Sequence, residues 1–172
     1  LLGAGYWGKN LARNFHALGA LQTLCDTQQS TLDTYGADYA AVRKTTHFEE
    51  VLADPAITRV AIAAPAVLHY QLARQTIEAG KDVFVEKPLA LNRTELAAVV
   101  RAQQATGRRL LVGFNRRFAP LVQELHRFLA DHRRPLVATY RINAGAIPAD
   151  HWTQDPTIGG GRIIGEACHF ID

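Results

Sequence analysis

Gly3-Ala4-Gly5-Tyr6-Trp7-Gly8 has the pattern G-x-G-x-x-G and follows two leucines at the start of the chain. Three glycines at this spacing predict the phosphate-binding turn of a dinucleotide fold. Gly3 allows a tight turn out of a strand, Gly5 leaves room for a pyrophosphate against the backbone, and Gly8 allows a helix to pack closely on the sheet. Amide groups at the positive end of that helix would then hold the anion.

The residues after the turn support this interpretation. Apolar residues recur at helical spacing from Trp7 to Leu18, and Gly19 ends the run. A short strand over residues 21–25 then ends at Asp26, where the fold places an acidic residue. A carboxylate there accepts hydrogen bonds from both ribose hydroxyls and repels a 2′-phosphate, so we expect NAD, with NADP as the alternative. An ordinary strand-turn-helix with a surface aspartate is the structural alternative.

Strand and helix patterns alternate as far as about residue 113. Mainly apolar runs over residues 60–64, 82–85 and 110–113 predict buried strands, and the stretches between them predict amphipathic helices. This alternation predicts an α/β fold with a doubly wound, parallel (Rossmann) sheet, in which the carboxyl ends of the strands face one crevice. The residues expected at these ends are Gly3, Asp26, Pro65, Lys87 and Asn115.

The pattern changes towards the end of the chain. A helix is predicted over residues 121–129, an alternating strand over 136–142, a loop over 143–161 and a helix from Arg162 onward.

This change of pattern divides the chain. We predict a dinucleotide-binding domain over residues 1–114 with a truncated first strand, and the beginning of an α+β second domain over residues 115–172. The chain has no methionine and starts inside its first strand, so we expect it to be part of a longer protein.

Composition argues against several classes of protein. Of the 172 residues, 48% are hydrophobic, and no apolar run reaches the roughly 20 residues of a membrane span. Cys25 and Cys168 have no C-x-x-C partner, which supports neither a disulfide framework nor a zinc site. The net charge of +3, with scattered Lys and Arg, does not favour nucleic acid. We expect a cytoplasmic protein with no metal, membrane or nucleic-acid partner.

Lys87 is the first candidate for chemistry. It stands between a strand end and a proline, which limits its freedom. A cleft beside bound NAD⁺ would partly desolvate its amine and place it near a positive nicotinamide, and both effects favour proton transfer. A solvated loop lysine paired with Glu86 is the alternative.

His169 is the second candidate. On an α-helix Glu166 and Asp172 would share its face, and carboxylate neighbours would orient the ring and make it more basic. Glu166 also stands four residues after Arg162, so an ordinary ion pair is the alternative. No other His or Cys stands at a ligand spacing from His169, which argues against a metal.

Three positions are candidates for substrate contacts. Asn115 and Arg117 follow the strand predicted over residues 110–113, where amide and guanidinium groups suit hydroxyl or phosphate groups. Trp152, in the loop rich in Pro and Gly, would pack on a sugar ring. A solvated loop and a packing anchor are the respective alternatives.

Taken together, these residues resemble the Gfo/Idh/MocA family of NAD(P)-dependent sugar and inositol oxidoreductases. The glycine turn, Ala64-Pro65 followed by His69, Glu86-Lys87-Pro88 and the closing helix with Cys168-His169 come in the family's order. Glu-Lys-Pro after the strand predicted over residues 82–85 is the most specific element. The first half resembles members that oxidise nucleotide-linked amino sugars at C3, and residues 113–172 resemble members fused to a zinc alcohol-dehydrogenase-like module.

The resemblance implies roles for single residues. Lys87 would be the catalytic lysine, and His169 the histidine that assists or performs proton removal. The family usually has an Asp four residues before this histidine, where this chain has Gly165, and Glu166 is the candidate substitute. The second domain would carry much of the substrate pocket and the interface of a homo-oligomer. Residues expected to contact the cofactor are Gly3, Gly5, Tyr6, Trp7, Gly8, Asp26, Ala64, Pro65, His69 and Glu86.

The expected activity is hydride transfer between a nicotinamide cofactor and a carbinol carbon of a sugar, cyclitol or nucleotide sugar. Two alternatives stay open. One is a non-catalytic NAD(H)-binding regulator or assembly subunit, which Gly165 would suit. The other is an S-adenosylmethionine-dependent methyltransferase, which also uses a glycine turn and an acid after its second strand. Glu86-Lys87-Pro88 argues against the methyltransferase.

Overall fold

The computed structural model describes residues 1–143 and 145–172, so Ala144, within the predicted loop, lies outside the described residues. These residues form two compact units, Leu1–Gly113 and Phe114–Asp172. The first unit alternates helices and strands, with a short 3-10 turn at Ala37–Tyr39. Its elements are α1 (Gly8–Ala17), β1 (Thr23–Cys25), α2 (Gln29–Asp33), β2 (Arg43–Thr45), α3 (Phe48–Ala53), β3 (Arg59–Ile62), α4 (Ala66–Glu78), β4 (Asp82–Val85), α5 (Arg93–Thr106) and β5 (Leu110–Val112).

The paired strands of the first unit are parallel. β1 pairs with β2, and β4 pairs with both β3 and β5. Leu2 joins the two groups, because it bridges Cys25 of β1 on one side and Ile62 of β3 on the other. The order across the sheet is therefore β2-β1-Leu2-β3-β4-β5, the doubly wound order with Leu2 at its centre. The predicted Rossmann sheet is confirmed.

Buried apolar side chains form two clusters around this sheet. The larger includes Leu2, Val60, Ile62, Ala73, Ile77, Val83, Val85 and Val99. The smaller consists of Ala4, Ala12, Leu24, Leu32, Tyr35 and Val42. Leu2 and Ala4 stand on either side of Gly3 but belong to different clusters, so the start of the turn is held by packing in both directions. Within the described residues, no helix combines the length and apolar character needed to cross a membrane.

The second unit is mainly helical where it is regular. It contains a 3-10 turn (Asn115–Phe118), α6 (Pro120–Leu129), a second 3-10 turn (Trp152–Gln154), a π-helical segment (Ile163–Ala167) and α7 (Cys168–Ile171). Pro120 stands in the first turn of α6, where a missing N–H costs no helical hydrogen bond. The helix predicted from Arg162 is present, although part of it is π-helical.

The strand predicted over residues 136–142 is absent, and these residues have no regular secondary structure. Leu136, Val137 and Tyr140 are each more than half exposed, so the alternation does not bury an apolar face. A strand needs a neighbour to pair its backbone groups, and the described residues of this unit contain no other strand. The prediction of a strand was wrong for this reason.

Lys81 is a buried charged residue that ties two elements together. Its side chain is 5% exposed, and its Nζ donates to the carbonyl oxygens of Asp54 (2.7 Å) and Ile57 (2.6 Å). Asp54 caps the end of α3, where carbonyl groups lack helical partners and a cation is favourable. The lysine therefore anchors the end of α3 to the start of β4.

Replacing Lys81 by Met should lower the free energy of unfolding by about 2–4 kcal/mol, because two carbonyl groups lose a buried charged donor. Urea unfolding followed by circular dichroism measures this. Lys9→Met is the matched control, because Lys9 is exposed on α1. Equal stability losses in the two variants would contradict the anchoring role.

Candidate functional site

The predicted phosphate-binding turn begins between two strand ends. The N–H of Gly3 donates to the carbonyl oxygen of Cys25 at 2.9 Å. Gly3 has a φ of +81°, and a Cβ at this position would lie 2.6 Å from the backbone nitrogen of Ala64. Both the left-handed backbone and the close approach of Ala64 therefore require glycine.

The other two glycines of the turn face different surroundings. A Cβ at Gly8 would overlap the carbonyl oxygen of Gly3, so α1 packs directly on the turn. A Cβ at Gly5 would meet no atom within 4 Å. Gly8 is therefore needed for packing within the protein, whereas the backbone at Gly5 faces open space. This arrangement fits a ligand that contacts the backbone at Gly5.

The start of α1 is suited to an anion. Trp7 occupies the N-cap position and makes no side-chain capping bond, so its side chain does not compete with an anion for the amides of the first turn. Tyr6 is 90% exposed and Trp7 43% exposed beside the turn. A shallow cavity of about 300 Å³ lies next to Gly5, and Lys9 contributes to its lining. The residues present thus fit a phosphate-bearing cofactor.

Asp26, at the end of β1, contacts the turn directly. Its Oδ2 accepts from the N–H of Ala4 at 2.8 Å, and its Oδ1 accepts from the N–H of Gln28 at 2.9 Å. A carboxylate has about four acceptor sites, so two backbone bonds leave capacity for ribose hydroxyls. Asp26 therefore orients the turn in addition to the ribose-binding role that the sequence predicts.

Tyr35 is a residue that sequence analysis missed. Its hydroxyl donates to the carbonyl oxygen of Ala4 at 2.7 Å, and the residue is 6% exposed. The peptide groups of Ala4 are thus held by Asp26 at the N–H and by Tyr35 at the carbonyl. Burial raises the pKa of the Tyr35 hydroxyl above its ordinary value, so it stays a neutral donor at physiological pH. The contact joins residues 31 positions apart, and no local pattern signals it.

His69 connects two strand ends. It is 2% exposed, with Nε2 2.7 Å from the carbonyl oxygen of Ala64 and Nδ1 2.7 Å from that of Pro88. Ala64 follows β3, and Pro88 belongs to the segment after β4. Because both ring nitrogens have protein partners, a direct hydrogen bond to a cofactor would require an exchange of partner. The cofactor contacts predicted for Ala64, Pro65 and His69 stay predictions.

Glu86, Lys87 and Pro88 lie at the carboxyl end of β4. The N–H of Glu86 donates to the carbonyl oxygen of Ile62 at 2.8 Å, which continues the pairing of β4 with β3. The Glu86 carboxylate covers Gly113, where a Cβ would lie 3.1 Å from Oε2. Lys87 is half-buried, Pro88 is buried, and the peptide bond between them is cis. The structure therefore brings this segment to the same edge of the sheet as the glycine turn.

In the second unit, His169 lies in α7 among aromatic rings. Its ring centroid is 6.4 Å from those of Phe114 and Phe170, in edge-to-face arrangements. Asp172, which was expected to neighbour His169 on the helix, is bound by Arg117 through two hydrogen bonds, one of them 2.8 Å long. These bonds hold the pKa of the Asp172 carboxyl below its ordinary value. Arg117 is therefore engaged within the protein.

Glu166 is paired with Arg162. The Nε and Nη2 atoms of Arg162 both lie 3.2 Å from Oε2 of Glu166. Glu166 lies in the π-helical segment Ile163–Ala167, so the α-helical spacing that predicted a shared face with His169 does not hold there. The ion pair considered as the alternative is present, and a role of Glu166 towards His169 stays a prediction.

Gly165 takes the position where the family usually has Asp. The residue is buried, and a Cβ there would lie 2.8 Å from the carbonyl oxygen of Gly159. A side chain at this position would require the backbone to move. The close packing of this helix on Gly159 therefore explains why a glycine stands here.

The residues predicted to bind substrate are exposed. Asn115 and Arg117 belong to the 3-10 turn Asn115–Phe118, and Trp152 is 51% exposed with its ring 5.7 Å from that of His151. Neighbouring Arg116 stacks over the ring of Phe170 at 4.4 Å. Trp152 is thus accessible to a ligand, and the substrate contacts of all three residues stay predictions.

The described ranges give little support for a metal site or for nucleophilic chemistry at Cys25. Residues 1–143 and 145–172 contain no group of three His, Cys, Asp or Glu side chains that could hold a metal ion. Burial raises the pKa of the Cys25 thiol to about 11. A thiol with that pKa remains protonated at neutral pH and is a poor nucleophile.

Residues 1–114 match a family described as an oxidoreductase family with an NAD-binding Rossmann fold. The chain belongs to the Gfo/Idh/MocA family. This confirms the predicted family, together with an NAD-binding fold as its first part.

Individual relatives in the Gfo/Idh/MocA family include inositol dehydrogenases. Inositol 2-dehydrogenase of Acidothermus cellulolyticus is 32% identical over 163 residues, which cover 90% of this chain and 47% of that protein. The uncharacterised oxidoreductase YrbE of Bacillus subtilis is 32% identical over 124 residues, which cover 70% of this chain and 36% of that protein. The solved structure of levoglucosan dehydrogenase with NADH and levoglucosan gives a TM-score of 0.81 at 25% identity, over 98% of this chain and 50% of that one. The chain spans half or less of the length of these relatives.

Replacing Tyr35 by Phe should lower the free energy of unfolding by about 1–3 kcal/mol, because the Ala4 carbonyl loses its buried donor. Tyr140→Phe is the control, since Tyr140 is 64% exposed. Chemical denaturation of both variants measures the difference. A Tyr35→Phe protein as stable as the control would show that the hydroxyl does not hold the turn.

Proposed function

We propose that the protein carrying this chain is an NAD-dependent oxidoreductase that acts on a carbinol carbon of a sugar, cyclitol or nucleotide sugar. The observation that carries the proposal is the placement of Glu86-Lys87-Pro88 at the same sheet edge as a glycine turn whose backbone is open at Gly5. The inositol and levoglucosan dehydrogenases among the relatives support this substrate class.

The first unit would hold the cofactor. The backbone at Gly5 and the start of α1 would bind the pyrophosphate, and Asp26 would accept hydrogen bonds from the ribose hydroxyls of the adenosine. NAD, when bound, supplies a hydride acceptor or donor at nicotinamide C4. The protein's own part is to orient the substrate and to move a proton.

Lys87 is the group that we assign to proton transfer. In the oxidation direction, the substrate hydroxyl gives its proton to the neutral amine at Nζ while the carbon loses a hydride. The half-buried position of Lys87, fixed between β4 and a buried proline, limits where the amine can go. A base held in place in this way loses less entropy when it meets the substrate.

His169 is the second group that we assign to the proton path, and Glu166 would support its ring. The carboxylate of Glu166 would have to serve both Arg162 and His169, since its Oε2 already accepts from Arg162. Asn115, Arg117 and Trp152 are proposed to contact the substrate. Arg117 would do so with the donors that Asp172 leaves available.

A non-catalytic NAD(H)-binding protein is the second candidate, and Gly165 favours it. The backbone of Gly159 fills the space where a carboxylate-bearing side chain would start.

Incubating the full-length protein and NAD⁺ with a panel of sugars, inositols and UDP-sugars, and following NADH absorbance, decides between the oxidoreductase and the non-catalytic protein. Turnover of any member supports the oxidoreductase, and tight NADH binding with no turnover supports the regulator.

NAD should bind more tightly than NADP, and Asp26→Asn should narrow this preference by roughly one charged hydrogen bond, about 1.5–3 kcal/mol. Because Asp26 also holds the turn at Ala4, the affinity for both cofactors should fall. Titrations with NADH and NADPH measure both effects. Asp33→Asn on α2 is the control, because Asp33 is exposed and bonds Gln29 within its own helix. Tighter binding of NADPH by the unaltered protein would refute the assignment.

Lys87→Ala should reduce kcat by about 10²–10⁴-fold, the usual contribution of a general base, while the affinity for NADH stays nearly intact. Steady-state kinetics and NADH titration of the full-length protein test this. Arg101→Ala removes an exposed cation from α5 and serves as the control. A Lys87→Ala enzyme that retains most of its kcat would remove this lysine from the chemistry.

Glu166→Gln should lower kcat and shift the acidic limb of the pH–rate profile if Glu166 supports His169. Arg162→Gln breaks the same ion pair from the other side and should cost only about 0.2–0.5 kcal/mol of stability. A change of kcat and pH profile in Glu166→Gln but not in Arg162→Gln would show that Glu166 acts in the proton path and not only as the partner of Arg162. If both variants keep the kcat and pH profile of the unaltered enzyme, Glu166 has only a structural role.

A further inference from the structure

The ring of His69 lies between two carbonyl oxygens. The oxygen of Ala64 is 2.7 Å from Nε2, the oxygen of Pro88 is 2.7 Å from Nδ1, and the residue is 2% exposed. A backbone carbonyl can only accept a hydrogen bond. Both of these partners therefore require a donor from the ring.

A neutral imidazole has only one N–H group. In either neutral tautomer, one nitrogen would direct its lone pair at a carbonyl oxygen 2.7 Å away, in a site with almost no exposure to water. The imidazolium ion has two N–H groups and satisfies both oxygens. The two short distances also match charge-assisted bonds, which are shorter than neutral ones.

Two effects oppose a cation at this position. Burial removes water from the charge, and the ring lies near the amino end of α4, where the helix dipole favours anions. Against these effects stand two carbonyl oxygens placed on opposite sides of the ring. The neutral ring would instead leave one buried carbonyl without a donor and facing a lone pair, so the hydrogen-bond geometry favours the cation.

The two carbonyl partners belong to functionally different segments. Ala64 contacts the glycine turn, because its backbone nitrogen limits the space at Gly3. Pro88 directly follows Lys87. One ring therefore links the strand end beneath the phosphate-binding turn to the segment that carries the lysine.

We propose that His69 is held as an imidazolium ion and acts as a positioning residue, fixing the Lys87–Pro88 segment against the end of β3. The part of this proposal that concerns catalysis rests on the proposed function of Lys87. The ionic form of the ring and the fixation of the segment do not depend on it.

The ionic form is tested by nuclear magnetic resonance of the full-length protein labelled with ¹⁵N at histidine, at neutral pH. Both ring nitrogens of His69 should show attached protons, and the His69→Gln spectrum identifies these resonances by their loss. His16, which is exposed on α1, provides the comparison within the same sample. A His69 ring with one unprotonated nitrogen would overturn the proposal.

Fixation of the segment is tested by hydrogen exchange, which needs no activity. In His69→Gln, the peptide covering residues 86–91 should exchange faster, by on the order of 10-fold for a locally weakened segment. The control is Thr76→Val, because Thr76 is fully buried on the same helix and its hydroxyl bonds only within α4, to Leu72. Equal exchange of this peptide in the two variants would overturn the proposal.

Kinetic measurements test whether the fixation of the segment by His69 acts through Lys87. His69→Gln should lower kcat by on the order of 10- to 100-fold through misplacement of the lysine, and Thr76→Val should not. In the Lys87→Ala background, His69→Gln should cause no further loss, because the two residues act as a unit. Additive losses would overturn the link to Lys87. If Lys87→Ala itself keeps full turnover, the proposed function of the lysine fails. The magnetic resonance and hydrogen-exchange experiments still test the ionic form of His69 and the fixation of the segment.

Discussion

Backbone pairing of Leu2 on both sides is the constraint on which the site depends. The N–H of Leu2 donates to Ala61 and its carbonyl accepts from Ala63, both at 2.8 Å, while Cys25 pairs on the opposite side. A residue paired in two directions cannot shift without breaking the sheet at its centre. The turn therefore starts at a fixed point. Position 3 requires glycine because the backbone of Ala64 leaves no room there for a Cβ.

Polar side chains, in addition to the glycines, hold the phosphate-binding turn and the neighbouring strand ends in place. The peptide of Ala4 is fixed by Asp26 and Tyr35, and the end of β3 is connected through His69 to the segment after β4. Each of these polar groups is bonded to backbone, so the carboxyl edge of the sheet is held by two buried side chains, Tyr35 and His69, and by the half-buried Asp26. Rigid support of this kind leaves the backbone at Gly5 free to meet a ligand.

The sequence predicted those features that have a local signature. Glycine spacing and the alternation of strands with helices were sufficient for the parallel sheet, because both follow from periodicity over a few residues. The bonds of Tyr35, His69 and Lys81 to distant carbonyls have no such signature, since they depend on how the chain folds back. The strand at 136–142 and the helical face of Glu166 were inferred from spacing alone. The strand is absent because the described residues of the second unit contain no other strand to pair with it. The helical face does not hold because Glu166 lies in a π-helical segment.

The double engagement of Asp26 bears on attempts to engineer cofactor preference. Because Asp26 accepts from the N–H of Ala4, the ribose contact proposed for this residue would couple cofactor recognition to folding, and a change that removes its oxygen would alter both at once. Asparagine at this position would keep one neutral, weaker acceptor of the same reach for the Ala4 N–H, while discarding the negative charge that repels a 2′-phosphate. A redesign for NADP would therefore start from a residue that keeps the scaffold function of Asp26, and would add cationic groups elsewhere on the rim.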